Sequence, residues 1–181
     1  MRKYIFIIAL ALLAIPAFTS CDTETNEEPG GTAIEKMCGY WDVVYDYVDE
    51  NGDLLYTDDE VYGAGTCDLY TFNLADNGTN YMWIGDADAV ARFWAYKMIV
   101  NINYENRTFW CDEKNYDAAG SGTAIITDGK IIENGGLNEH GMPTDSISFY
   151  IKFSDDEYAD VYYDRMWVHG VRHSGFSPDT E

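Results

Sequence analysis

Short segments of alternating side chains, separated by turn signals, are the feature that most restricts the fold of this chain. Aromatic and β-branched residues take every second position over residues 41–48, and apolar residues alternate with polar ones over residues 146–153. A period of two places one set of side chains on one face of a β-strand. Asn51-Gly52 and Asp128-Gly129 supply the positive φ that tight turns require. The pattern predicts an all-β protein.

The predicted strands are too many for one flat sheet. They cover residues 41–48, 69–74, 81–84, 95–103, 108–112, 123–127, 130–133, 146–153 and 160–171, and residues 87–96 form either a short helix or a bent strand. About eight antiparallel strands require a sandwich or a closed barrel, and a barrel removes exposed edges and can hold one small ligand. We predict a single antiparallel β-barrel domain over residues 34–181.

The first 33 residues predict export and a membrane anchor. A basic start and an apolar run over residues 4–18 are typical of a secretory signal peptide, here residues 1–20, and the run is too short to span a bilayer. The end of this run resembles a bacterial lipobox, which would place a lipid on Cys21. The alternative is an ordinary signal peptide with an incidental cysteine. The polar, acidic residues 21–33 predict a flexible tether. Their position resembles the export signals of surface lipoproteins of the Bacteroides group, which implies an outer-membrane lipoprotein of the cell envelope, exposed at the surface.

The charge balance excludes one class of partner. The chain has 32 acidic and 11 basic residues, a formal net charge of −21. Such a field repels the phosphate backbone, so we expect no nucleic-acid partner. The composition does not identify any protein partner.

Cysteine and histidine spacings predict no metal site and no other cofactor. After Cys21 the chain has Cys38, Cys67 and Cys111, which match no zinc pattern. Three buried thiols and one disulfide are both compatible with the count, and Cys67–Cys111 is one of three pairings. His169 and His173 are four residues apart, which on a strand separates them by about 13 Å.

Several motifs, in a fixed order, carry a family resemblance. Gly39-Tyr40-Trp41 matches the G-x-W that opens lipocalin-like barrels, in which the tryptophan closes one end and an arginine of the last strand lies across its ring. Arg172 is the first candidate for that arginine and Arg165 the second. The further motifs are Thr71-Phe72-Asn73-Leu74-Ala75-Asp76, Met82-Trp83-Ile84, Asp128-Gly129-Lys130-Ile131, Asp145-Ser146-Ile147, Ser154-Asp155-Asp156 and Gly170-Val171-Arg172-His173-Ser174-Gly175-Phe176. Together they resemble the lipid-binding putative hydrolase family, lipocalin-like lipoproteins of the Bacteroides group, over about residues 35–178.

The resemblance implies a calycin-type barrel and an apolar ligand. We therefore expect a lipoprotein that binds a small apolar or amphipathic, lipid-like molecule non-covalently. The aromatic side chains that could line its cavity are Trp83, Phe93, Trp94, Trp110 and Trp167. In a small barrel such rings can instead fill the core.

Two other functions fit the same sequence. An esterase-like hydrolase of lipid or acyl esters would use His169 or His173 as base, with Ser174 as a candidate nucleophile. Its weakness is that Gly120-Ser121-Gly122 lacks the spacing of a nucleophile elbow. A non-enzymatic accessory protein would use a filled barrel as a rigid module, with exposed aromatic rings stacking on sugars. Whether the chain is an enzyme is left open by its sequence.

Overall fold

Nine antiparallel strands form one sheet that closes on itself. The strands are β1 (Gly39–Val48), β2 (Leu54–Tyr56), β3 (Cys67–Asn73), β4 (Tyr81–Gly85), β5 (Lys97–Asn103), β6 (Thr108–Asn115), β7 (Thr123–Leu137), β8 (Pro143–Phe153) and β9 (Arg165–Arg172). Each strand from β3 to β8 pairs with the next along the chain, and β1 pairs with both β3 and β9. These eight strands close the barrel, while β2 lies beside the end of β1. The predicted all-β, eight-stranded barrel is confirmed.

A computed structural model describes residues 31–175. The predicted signal peptide, the lipidation site at Cys21 and most of the tether lie outside the described residues, as do the last residues of the predicted domain. No helix within the described range is long and apolar enough to cross a membrane. Its helical elements are a 3-10 turn (Glu35–Met37) and the four-residue helix α1 (Asp58–Val61).

Three predicted elements differ from the observed ones. Residues 86–96 form an irregular loop, so the helix or bent strand expected there is wrong. Residues 123–127 and 130–133 belong to one strand, because Asp128, at φ 54°, forms a bulge in β7 instead of a hairpin turn. A Cβ at Gly129 would overlap the Phe109 ring, so a glycine is required in this bulge. The last strand begins only at Arg165.

Large side chains fill the barrel interior. Every second residue of β1 from Trp41 to Tyr47 is fully buried, as the alternation predicts. The other large, fully buried side chains include Tyr96, Phe109, Phe149, Phe153, Leu69, Met82 and Ile84. Dense packing of this kind is the usual state of a small barrel. These side chains form the core and occupy the interior of the barrel.

One end of the barrel is closed by Trp41 and its partners. The Trp41 Nε1 donates a hydrogen bond to Thr71 Oγ1 at 2.8 Å, and the Cζ of Arg172 lies 4.5 Å from the tryptophan ring centroid. A guanidinium over an indole stabilises the pair by about 0.5–2 kcal/mol. The Arg172 Nη1 donates to the carbonyl of Cys38 at 2.6 Å. A Cβ at Gly39 would lie 2.5 Å from that Nη1, so the glycine of the G-x-W leaves room for the arginine.

All three cysteines of the described chain are free thiols, which leaves the disulfide alternative without support. Cys67 and Cys111 are buried, and Cys38 is partly buried. Burial, aided by nearby carboxylates, raises the pKa of Cys67 to about 11. The thiol therefore stays protonated near neutral pH and is a poor nucleophile.

Two buried tyrosines predict alkaline sensitivity. The hydroxyls of Tyr45 and Tyr96 lie 3.3 Å apart inside the barrel, and burial raises the pKa of both well above the ordinary value. Above about pH 10 the unfolded chain releases protons that the folded chain keeps, so stability falls as the pH rises. We expect each tyrosine to contribute a loss of about 1.4 kcal/mol per pH unit. Urea unfolding at a series of pH values measures this slope, and an unchanged slope in a Tyr45→Phe/Tyr96→Phe variant would contradict it.

Candidate functional site

Three loops at the end of the barrel opposite Trp41 shape the candidate site. The first runs from β2 to β3 and contains α1, the second is residues 86–96, and the third is residues 154–164. Helix α1 begins with a capping box, in which the backbone N–H of Thr57 donates to Glu60 Oε2 at 2.9 Å. The backbone N–H of Asp58 donates to Asp46 Oδ1 at 3.0 Å, which ties the start of α1 to β1. We call this end of the barrel the mouth.

A single buried carboxylate shapes the second loop. Asp86 is fully buried and accepts backbone N–H bonds from Phe93, Trp94 and Tyr96 at 2.7, 2.9 and 2.8 Å. Burial raises the pKa of Asp86, and these three bonds oppose that shift by favouring the carboxylate. Asp86 thus folds the loop back onto the barrel, a role for which its sequence gave no signal.

The loop places two of the predicted ligand-binding rings over the interior. The Phe93 ring stacks on Tyr45 with centroids 4.3 Å apart, and the Trp94 ring stacks on Phe153 at 4.8 Å. Both rings are partly buried against the core. They cover the interior from the side of the mouth, and Tyr62 of the first loop packs edge-on against Phe93 at 5.6 Å.

A cleft of about 450 Å³ lies between the first and third loops. Its lining is mostly tyrosine and consists of Tyr56, Glu60, Val61, Tyr62, Tyr158, Tyr162 and Tyr163. Tyr62 and Tyr158 meet edge to face at 5.9 Å, which joins the two loops. Tyr158 and Tyr162 are 45% and 59% exposed, so much of their ring surface is available to a ligand. We call this site the mouth cleft.

Buried polar groups lie behind the mouth cleft. The Tyr163 hydroxyl donates to Asp156 Oδ2 at 2.7 Å, and the Tyr47 ring lies 4.6 Å from the Tyr163 ring. Asp58 Oδ2 accepts the N–H of Gly65 at 2.6 Å. Asp58 Oδ1 and the Tyr47 hydroxyl are buried, and no described residue provides a hydrogen-bond partner for either. Burial, followed by the charge of Asp58, raises the pKa of Tyr47, so the hydroxyl keeps its proton.

The other three predicted ligand-binding residues do not line the interior. Trp83 lies between the buried Met82 and Ile84 and therefore points outward from β4, where it is only partly buried. Trp110 is 44% exposed on the outer face of β6. Trp167 is partly buried on the outer face of β9. The prediction that these rings share one cavity with Phe93 and Trp94 is corrected, because alternate residues of a strand point to opposite faces.

Two histidine–aspartate pairs lie on the outer face of β1 and β9. The Nε2 of His169 lies 3.0 Å from Asp46 Oδ2, and the Nδ1 of His173 lies 3.0 Å from both carboxylate oxygens of Asp42. Both histidines and Ser174 line a cleft of about 410 Å³. An aspartate can orient an imidazole as a base. Within the described residues, no group of three or more metal-ligating side chains could hold an ion.

Comparison with known families provides the assignment. The profile described as lipid-binding putative hydrolase matches residues 26–177. The chain belongs to this family. Comparison with curated proteins gives no match. Membership of a lipid-binding family agrees with the observed β-barrel.

Sequence reasoning missed most of the mouth of this family member. Tyr62, Tyr158 and Tyr163 belong to loops, where no alternation marks a buried face. The available signal was local composition, since residues 155–163 combine four acids with five aromatic or aliphatic side chains. Such a mixture is unusual for a solvated loop and indicates a loop that packs.

Proposed function

We propose that the protein binds a lipid-like, amphipathic molecule non-covalently in the mouth cleft. The observation that carries this proposal is the concentration of exposed apolar side chains at this end of the barrel. They are Leu54, Leu55, Tyr56, Tyr62, Tyr158, Val161 and Tyr162. Contiguous exposed apolar surface in a soluble domain marks a site of interaction.

The packing of the barrel supports the mouth cleft as the location of the ligand. The interior is occupied by buried rings, whereas the mouth cleft is open and lined by tyrosines on two loops. Its volume of about 450 Å³ lies in the range of small-molecule sites, roughly 300–1,000 Å³. An acyl chain would lie against the faces of Tyr62, Tyr158 and Tyr162 and shield them from water. We place this activity in a surface lipoprotein, as residues 1–33 predict.

Removing two rings of the cleft is expected to weaken binding. In a Tyr158→Ala/Tyr162→Ala variant, we expect the affinity for a single-chain monoacylglycerol to fall at least about tenfold, because each ring contributes apolar contact of the order of 1 kcal/mol. The melting temperature should change little, since both side chains are about half exposed and lie on loops outside the core. Isothermal titration calorimetry measures the affinity.

The matched control is Tyr81→Ala. Tyr81 is 48% exposed, similar to Tyr158, but it begins β4 and lies at the other end of the barrel. Its replacement should leave the affinity unchanged. Equal affinity of the double variant and the unaltered protein would contradict the proposal, as would an equal loss in the control.

A further inference from the structure

The mouth cleft is backed by hydrogen-bond acceptors without basic partners. Asp58 and Asp156 are buried, at 2% and 8% exposure. Their recorded partners are backbone N–H groups and the Tyr163 hydroxyl. No lysine or arginine of the described chain lies within ion-pair distance of either carboxylate. The polar side of the cleft is therefore negative and accepts protons in hydrogen bonds.

Two buried polar atoms behind the mouth cleft lack a hydrogen-bond partner among the described residues. They are Asp58 Oδ1 and the Tyr47 hydroxyl. Leaving a buried polar atom unsatisfied is costly, which is why such atoms in folded proteins are usually bonded to protein, water or ligand. The Tyr47 ring lies 4.6 Å from the Tyr163 ring and 6.0 Å from the Tyr62 ring, both of which line the cleft. Asp58 begins α1, whose Glu60 and Val61 line the same cleft. A hydroxyl group can donate to a carboxylate oxygen or accept from a tyrosine, so it suits either atom.

The acidic residues around the mouth cleft disfavour a negatively charged ligand group. The two loops that line the mouth cleft carry the acidic runs Asp58-Asp59-Glu60 and Asp155-Asp156-Glu157. The whole chain carries a net charge of −21. A carboxylate or phosphate placed here would face several like charges close by, and their repulsion is only partly screened by salt.

We propose that the mouth cleft selects amphiphiles whose head group donates hydrogen bonds, a hydroxyl or a protonated amine, over those with a carboxylate or phosphate head. The inference rests on the proposed function, because it assigns a head-group class to the same site. The acyl chain lies against Tyr62, Tyr158 and Tyr162, and the head reaches toward Asp58 and Tyr47.

A head-group series tests the selection. The affinities of a monoacylglycerol, an alkylamine, a fatty acid and a lysophosphatidic acid of equal chain length are measured below their micelle concentrations. We expect the first two to bind at least about tenfold more tightly than the last two. Equal binding of all four, or tighter binding of the fatty acid, overturns the selection and leaves the proposed function standing. Binding of none overturns both.

Two variants locate the head group. Tyr47→Phe removes only the unpartnered hydroxyl and is expected to weaken monoacylglycerol binding about three- to tenfold, with no effect on a lipid that lacks a head-group donor. Asp58→Asn is expected to reduce the ratio of the monoacylglycerol affinity to the fatty-acid affinity several-fold. Asp59→Asn, on the exposed face of α1, should leave this ratio unchanged. If Asp58→Asn fails to fold, the monoacylglycerol affinity of Tyr47→Phe alone tests the head-group contact. An unchanged monoacylglycerol affinity in Tyr47→Phe means that water serves these atoms, and it overturns the head-group contact.

Discussion

Replacing Trp41 by alanine is expected to lower the free energy of unfolding by about 3–5 kcal/mol, the largest effect of any single substitution considered. The indole is fully buried, donates to Thr71 Oγ1 and supports the guanidinium of Arg172. Its removal would leave a cavity at the closed end of the barrel. The Arg172 side chain would also lose the ring on which it lies, although its bonds to Cys38 and Asp145 remain.

Chemical denaturation of the variant and the unaltered protein measures the effect. Trp110→Ala is the matched control, because it removes the same side chain from a half-exposed position on the outer face of β6. We expect the control to lose less than about 1 kcal/mol. Similar losses in the two variants would show that Trp41 does not close the barrel as a packed element.

Asp86→Ala is expected to release the loop of residues 86–96 and to cost about 2–4 kcal/mol. The substitution leaves the N–H groups of Phe93, Trp94 and Tyr96 without their common acceptor, and each such loss costs roughly 1 kcal/mol or more. Relief of the buried charge offsets part of this cost. Because the loop carries Phe93 and Trp94 over the interior, its release would let water reach the core at the mouth.

Hydrogen exchange measures this release directly. The amides of Phe93, Trp94 and Tyr96 should exchange much faster in the variant, while amides of β8 and β9 keep their protection. Asp88→Ala is the control, because the Asp88 side chain is 73% exposed and only pairs with Lys97. It should change stability by no more than about 0.5 kcal/mol. Unaltered exchange in Asp86→Ala would show that the ring contacts of Phe93 and Trp94 and the backbone hydrogen bonds of the loop, such as Asp68 N–H to the Ala91 carbonyl, are enough to hold it.

The closed end of the barrel was predictable from the sequence. Whether the other tryptophan side chains point into or out of the barrel was not. Gly39-Tyr40-Trp41 marks the start of the first strand, and pairing of β1 with β9 then brings Arg172 opposite Trp41. By contrast, Trp83 and Trp110 each lie between two apolar neighbours. In such a run both sets of alternate residues are apolar, so hydrophobicity alone does not decide which set faces inward.

The mouth depends on contacts between residues far apart in the chain. Tyr62 and Tyr158 meet across 96 positions, and no periodicity links them. The bulge at Asp128 was not predicted for another reason. Asp-Gly is typical of both tight turns and bulges, and the sequence predicted a turn. Local pattern therefore predicted the strands and their closure, while loop packing decided the candidate site.

The pairing of β1 with β9 has a consequence for the order of assembly. These strands contact each other across more than a hundred positions, as Asp42 and His173 illustrate with a separation of 131. During synthesis, β1 can pair with β3 early but must wait for β9 to emerge before the ring closes. Non-local pairing of this kind carries a large loop-closure entropy and slows folding to the millisecond-to-second range. Until then the growing sheet has two open edges, whose unpaired backbone N–H and C=O groups are available for pairing with another chain.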